Sequence, residues 1–257
     1  MTNKFRSIVE LNKKITKYLI YDEIKTSTIF YKMIFYLTLF LILSIAPMIW
    51  LNYVFTKNDK ILVNMPFTGL EFGKIILNEL GLNDVKIEKS LNIDHYDLSE
   101  KKVKVSENRL SRKSLTAISI VCHEIGHAMQ HHEKYKPLEQ RTSLVKNTAW
   151  ISQFGSGLLL MGIPTIFATG SYSLIKVCLI IVLLSLIIGV MVHLITLEVE
   201  LDASFNRALP IIKSKVPEEY HDACQSILKA AAFTYVIGVI RNFVSLRFIW
   251  LLLSRIR

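Results

Sequence analysis

Three residues in one short stretch carry recognisable chemistry: His123, Glu124 and His127, within His-Glu-Ile-Gly-His. Two imidazoles four positions apart are neighbours on a helix surface and can reach a single metal ion. Glu124, one residue round from the first histidine, is placed to touch a metal-bound water instead of the metal. That is the content of the H-E-x-x-H pattern: two zinc ligands and a general base. The plain alternative is a solvated helix carrying histidines by chance, since four of the chain's seven fall within residues 121–132. Placement favours the metal. Leu115, Ile118, Cys122, Ile125 and Met129 recur every three or four residues as a core-facing stripe, and the two histidines stand on nearly the opposite face. Gly126 offers bare backbone where another element or a substrate can come close.

A catalytic zinc takes three protein ligands and keeps a fourth position open. His131 does not complete the set, because positions 123, 127 and 131 spread along the helix by about 12 Å at 1.5 Å per residue. His132 turns toward the apolar stripe. A metzincin-type third histidine would follow a glycine at 130, and that position is Gln130. The third ligand must come from elsewhere. Two apolar runs after the motif would form a membrane hairpin, returning the chain at 198 to the side it left at 148. There, in LEVELDASFNRAL, stand Glu198, Glu200 and Asp202. A carboxylate on a second helix is the third ligand in glutamate-type zincins, and on spacing alone all three acids remain candidates.

The elements that must position these residues are marked by the distribution of charge. Half the residues are apolar (51%), and they cluster. Met33–Leu51 and Val177–Leu197 are uncharged, as is everything between Lys146 and Lys176. Each run can cross about 30 Å of hydrocarbon as a helix, so the chain reads as an integral membrane protein. The first run follows some thirty polar residues and lacks a cleavage site, which makes it a retained anchor and not a signal peptide. A polar basic arm (1–32) thus precedes spans at 33–53, 149–169 and 175–197. The apolar stretch 230–254 is interrupted by Arg241, Asn242 and Arg247, which reads as an interfacial or partly inserted helix.

Between the first two spans, FTGLEFGKIILNELGL has helical periodicity and ends at Gly81, a C-cap. The following VKIEKSLNIDHYDLSEKKVKVS reads as two or three short strands with a hairpin turn at Leu98 to Lys102. The motif helix starts at Ser111 or Ser114, either of which can cap it, and runs to about His131. Three dispersed cysteines make neither a disulfide framework nor a cysteine zinc site. The net charge of +10 has no basic stripe with interleaved aromatics, so it points to anionic headgroups and away from nucleic acid.

The segments FTGLEFGKIIL, IDHYD, VKVSENRLSRKSLTAISIVCHEIGHAMQHHEKYKPL, VELDASFNRAL and AAAFTYVIGVI follow the order seen in the YugP-type neutral zinc metallopeptidases. The chain resembles that bacterial membrane family over about residues 66–245, and is more remotely similar to HtpX and the CAAX prenyl proteases. The resemblance implies an α+β, mostly helical fold with a zincin-like H-E-x-x-H domain and a small strand segment. That domain would comprise 57–148 and the return segment 198–228, with about three transmembrane helices plus the C-terminal apolar helix as anchor. It implies one Zn2+ per chain on His123, His127 and Glu200, since the relatives' third ligand begins E-x-x-A, matching Glu200 to Ala203. Ser204 stands where the relatives carry an aspartate behind a ligand histidine, which passes that supporting role to Asp202 or Asn206. The strand segment Asp94–Ser106 resembles the edge that pairs with substrate backbone, and His95, Tyr96 and Asp97 are candidates for substrate or structural contacts, the structural reading coming first.

The implied activity is hydrolysis of a protein or peptide by a zinc-activated water, with Glu124 as base, in the cell membrane as a multi-pass protein. Arg207 and Tyr96 are candidate transition-state donors. The alternatives are a non-proteolytic zinc-binding scaffold or assembly factor, and a site-2-type intramembrane protease using Asp202. The latter places H-E-x-x-H inside an apolar span, whereas here Arg109, Arg112 and Lys113 precede it. Seven Lys/Arg before the first span favour a cytoplasmic N-terminus and an external site. Lys134, Lys136, Arg141 and Lys146 pull the other way.

Overall fold

The computed structural model describes residues 2–91, 93–162 and 172–253. Met1–Ile42 forms one compact unit and Leu43–Arg257 another. The first is carried by helix α1 (Thr2–Asn58), and its described side chains are nearly all exposed. The second holds the core and the candidate site.

The second unit is mostly helical around a small sheet. After α1 come α2 (Gly69–Glu79), β1 (Lys86–Ser90), β2 (His95–Asp97), β3 (Lys102–Ser106), α3 (Glu107–Ser111) and α4 (Leu115–His132). Then α5 (Lys136–Gly157) runs into a π-helical turn, Leu158–Gly162. Helix α6 (Tyr172–Leu201) continues into a π-helical segment, Asp202–Ala208, followed by α7 (Leu209–Lys215) and α8 (His221–Leu253). Thr16–Asn58, Ser173–Lys215 and Glu218–Arg247 are long and apolar enough to cross a membrane. Part of the expected span 149–169 lies outside the described residues, as does position 254 of the C-terminal stretch.

Local chemistry explains the elements around the motif. Thr68 caps α2 in a full capping box with Glu71, and Gly81, with φ of 69°, ends it in the left-handed conformation that favours glycine. Strand β2 pairs antiparallel with β3, His95 facing Lys104, while β1 pairs with β3 in parallel. The hairpin turn falls where the sequence places it, and Asp97 builds it. Its Oδ1 accepts from the Ser99 and Glu100 amides, both at 3.0 Å, and from Ser99 Oγ at 2.7 Å. The order β1-β3-β2 leaves β2 at the sheet's edge.

The motif helix α4 is fixed at its start. Of the two expected caps it is Ser114 that serves, its Oγ accepting from Ala117 N at 3.2 Å and donating to Asp59 Oδ1 at 2.7 Å. Arg112 adds an ion pair to the same Asp59, and Thr116 Oγ1 donates to Phe55 O at 2.8 Å. These contacts stitch the end of α1 to the start of α4. The anticipated apolar stripe is the core: Ile118, Cys122 and Ile125 are fully buried, beside Phe72, Val103, Ile212 and Ile227. Ser114→Ala removes both the cap and one of the two partners of Asp59. It should destabilise the detergent-solubilised protein by about 1–2 kcal/mol, seen as a lower Tm; an unchanged Tm would show that the stitch contributes nothing.

Candidate metal centre

His123 and His127 project from the middle of α4 with their rings edge-to-face, centroids 4.7 Å apart. Both present Nε2 to one oxygen: Glu200 Oε2 lies 3.2 Å from His123 and 3.5 Å from His127. Glu200 comes from the last turn of α6 and is only 4% exposed. The ligand atoms of the three residues all lie within 4.8 Å of one another, a group able to hold a metal ion. Donors about 2.1 Å from a tetrahedral zinc stand roughly 3.4 Å from each other, close to both measured separations. Two nitrogens and a carboxylate oxygen are also the ligand chemistry zinc takes. Among the candidate acids only Glu200 converges on the histidines; Glu198 is exposed, and Asp202 is engaged elsewhere.

The far side of each imidazole is held as well. His127 Nδ1 donates to Gln130 Oε1 at 2.9 Å. Gln130 is fully buried, and its amide nitrogen donates to Val199 O and to Asp202 Oδ2, both at 2.8 Å. With both amide hydrogens placed, only the amide oxygen can face His127, which requires a proton on Nδ1. Asp202 is held in turn by Asn206 Nδ2 at 3.0 Å and Arg207 Nε at 2.6 Å. His123 Nδ1 shares a hydrogen bond with Ser204 Oγ at 3.1 Å. Ser204 thus supports its histidine directly, while Asp202 acts on the other one through Gln130. Such partners orient ligand histidines and raise their basicity. Burial works against the His127 imidazolium, but the hydrogen bond and charge of Glu200 outweigh it, helped by Glu124 and Gln130. Its pKa is raised to about 9, so a metal binding there displaces a proton.

Helix α4 meets the Glu200 segment at minimal separation. A Cβ on Gly126 would lie 2.7 Å from Ala203 O and 3.3 Å from two further backbone atoms of that residue. The close neighbour foreseen for this glycine is therefore the strand of chain carrying Glu200. The recurrence Glu200, Ser204, Ala208, Ile212 has a period of four, which drifts around a 3.6-residue helix. The wider turns of the π segment take up that drift and keep one face against α4, a use of π geometry common at functional sites.

Glu124, 7% exposed, lines two hollows beside the trio that share several of their lining residues. One, of about 240 Å³, is bounded by β2 residues His95 and Tyr96 and by Arg141 and Tyr235. The other, about 220 Å³ and more apolar, reaches Leu51, Phe55, Ile227 and Leu228. Tyr96 shares a hydrogen bond with His131 Nδ1 at 2.9 Å. Burial first, then the charges of Asp84 and Asp97, push its phenol up to about 12, so it keeps its proton. His131 is thereby occupied and His132 is exposed. Arg207, the other donor candidate, does not line the cleft; it bridges Asp202 and Glu133. Sequence reasoning missed Gln130, Tyr235 and Arg141. A tyrosine inside an apolar stretch was the available signal for Tyr235; nothing local marked the other two.

Comparison with known proteins identifies the family of the chain. Residues 33–254 match the family described as "Putative neutral zinc metallopeptidase". The chain is 34% identical over 230 residues to the "Putative membrane protease YugP" of Bacillus subtilis (strain 168), covering 84% of this chain and 97% of that protein. No solved structure matches.

Two substitutions probe the support of the trio without touching it. Gly126→Ala forces α4 and Ala203 apart, so it should cost about 1–3 kcal/mol of stability and lower the zinc bound per folded chain. Gln130→Leu keeps the volume but frees His127 Nδ1, and should weaken zinc binding roughly 10- to 100-fold. Competition with a chromophoric chelator measures both, and wild-type affinity in either variant would contradict the geometry.

Proposed function

Because the chain belongs to the neutral zinc metallopeptidase family, we propose that it is a membrane-bound, zinc-dependent metalloendopeptidase of the glutamate-zincin kind. His123, His127 and Glu200 hold one zinc ion per chain, and Glu124 is the general base. The observation that carries this reading is the convergence of two imidazole nitrogens and a buried carboxylate on one point beside Glu124, at the floor of an open cleft.

Zinc bound there would polarise the scissile carbonyl and acidify a water. Glu124 takes the proton from the attacking water, and the water oxygen forms the new bond to the carbonyl carbon. Glu124 then gives that proton to the departing amine nitrogen as the C–N bond breaks. Its low exposure limits competing solvent. Gln130 and Ser204 keep both Nε2 atoms turned to the metal position throughout. The edge strand β2 flanks the same cleft and supports an extended peptide as substrate.

The three long apolar helices, and a relative named as a membrane protease, support a multi-pass protein in the cell membrane. Two of those helices contain the expected spans 33–53 and 175–197, part of the expected span 149–169 lies outside the described residues, and we assign the catalytic domain to 57–148 and 198–228.

The test uses purified, zinc-loaded full-length protein and a fluorogenic peptide or casein. Glu124→Gln should retain about one zinc and lose at least about 100-fold in cleavage rate, whereas Glu200→Gln should lose the metal itself. If wild-type protein binds no zinc, or the Glu124 variant cleaves as fast, the peptidase reading fails.

A further inference from the structure

Among the described residues, Arg141 is the one guanidinium lining the cleft beside Glu124, and no ion pair there includes it. It sits on α5, half-buried, and its Nε donates to Thr196 Oγ1, a neutral acceptor on α6, at 3.2 Å. Of the three acids that line the cleft, two are committed to other partners and the third is Glu124. Asp94, in the same cleft, is paired with Arg109 and accepts from Ser106 N at 2.7 Å. Glu200 faces the two imidazoles. A guanidinium carries five N–H donors in a fixed fork suited to paired oxygens. Only one of Arg141's has an acceptor in the described hydrogen bonds.

Charge points the same way. A dication on the trio offsets the carboxylates of Glu200 and Glu124, which leaves the positive charge of Arg141 as the uncompensated one facing the cleft. Thr196 is 5% exposed and fixes the base of the guanidinium, so its direction does not depend on a flexible surface chain. The two arginines near other parts of the site differ in this respect: Arg207 bridges Asp202 and Glu133, and Arg109 is taken by Asp94.

We propose that Arg141 receives an anionic oxygen of the peptide substrate. The inference rests on the peptidase reading and extends it to substrate recognition. One chemistry has two possible sources. In the first, the oxygen is that of the scissile carbonyl as it gains negative charge, where a preorganised donor stabilises the transition state. In the second, it belongs to a carboxylate carried by the peptide, as an acidic side chain or a free C-terminus, which a guanidinium binds bidentately.

The experiment measures equilibrium binding, so that turnover is not required. Zinc-loaded, full-length Glu124→Gln protein is titrated by fluorescence anisotropy with four labelled peptides of one parent sequence. These are a neutral amidated peptide, the same with a phosphinate at the scissile position, one with a free C-terminus, and one with glutamate beside the scissile bond. The titrations are repeated with Arg141→Gln and Arg141→Lys added, with zinc content checked in each. Arg141→Gln should weaken at least one anionic peptide by roughly 10- to 100-fold relative to the neutral one, with Arg141→Lys in between. Selective loss for the phosphinate assigns the developing oxyanion; selective loss for a carboxylate peptide assigns that group. Equal weakening of all four would mean that Arg141 only ties α5 to α6, and no change would mean that it has no role; either result overturns the proposal. Failure of wild-type protein to cleave any peptide would remove the peptidase reading, while these binding ratios would still decide the role of Arg141.

Discussion

The carboxylate of Glu200 is buried between two imidazoles, and much of the surrounding structure serves that placement. A lone carboxylate removed from water is penalised by several kcal/mol, and its partners recover this only at close range and in good geometry. Two contacts near 3.4 Å to the same oxygen leave little tolerance. The segment carrying Glu200 must therefore lie against α4 with no side chain between them. Glycine at 126 permits this, because the backbone of Ala203 occupies the volume a Cβ would need.

The same contact face explains why the polar network beside it is so fully connected. Gln130 would be costly to bury alone, yet every polar atom of its amide has a partner, from His127 to Val199 and Asp202. Through it, the main chain and side chains of the 199–207 segment set the orientation of a histidine on another helix. Ser204 does the same for His123. One stretch of about nine residues thus supplies the carboxylate, the partner of His123 and the groups that hold Gln130 against His127. The π-helical turns keep that stretch on α4 where a regular helix would rotate away.

Much of this was legible in the sequence where it depends on neighbours along the chain. The apolar stripe of α4, a serine cap at 111 or 114 and a hairpin turn at Leu98 to Lys102 all follow from local periodicity or turn chemistry, while the choice of Ser114 and the part of Asp97 in the turn came from the structure. His123, Glu124 and His127 were readable because their spacing is itself helical geometry. Glu200 was not separable from Glu198 and Asp202 by spacing, since consecutive acids at a helix end differ only in direction, and direction is set by packing some seventy residues away. Gln130 drew notice only as a departure from glycine in another motif; its role depends on Asp202 and Val199, brought near by tertiary contact. Arg141 looked like one of several lysines and arginines flanking a span, and only the fold turns it into the cleft. The parallel pairing of β1 with β3 was equally out of reach, because it joins strands separated by the β2 hairpin.

Zinc K-edge X-ray absorption on the metal-loaded full chain tests the central assignment most directly. Two imidazole nitrogens and a carboxylate oxygen predict a first shell of nitrogen and oxygen scatterers at about 2.0–2.2 Å, with a two-imidazole multiple-scattering pattern and no sulfur. That pattern should fall to fewer imidazoles in His127→Ala. A sulfur shell near 2.3 Å, or an unaltered spectrum in that variant, would place the metal elsewhere and contradict the site.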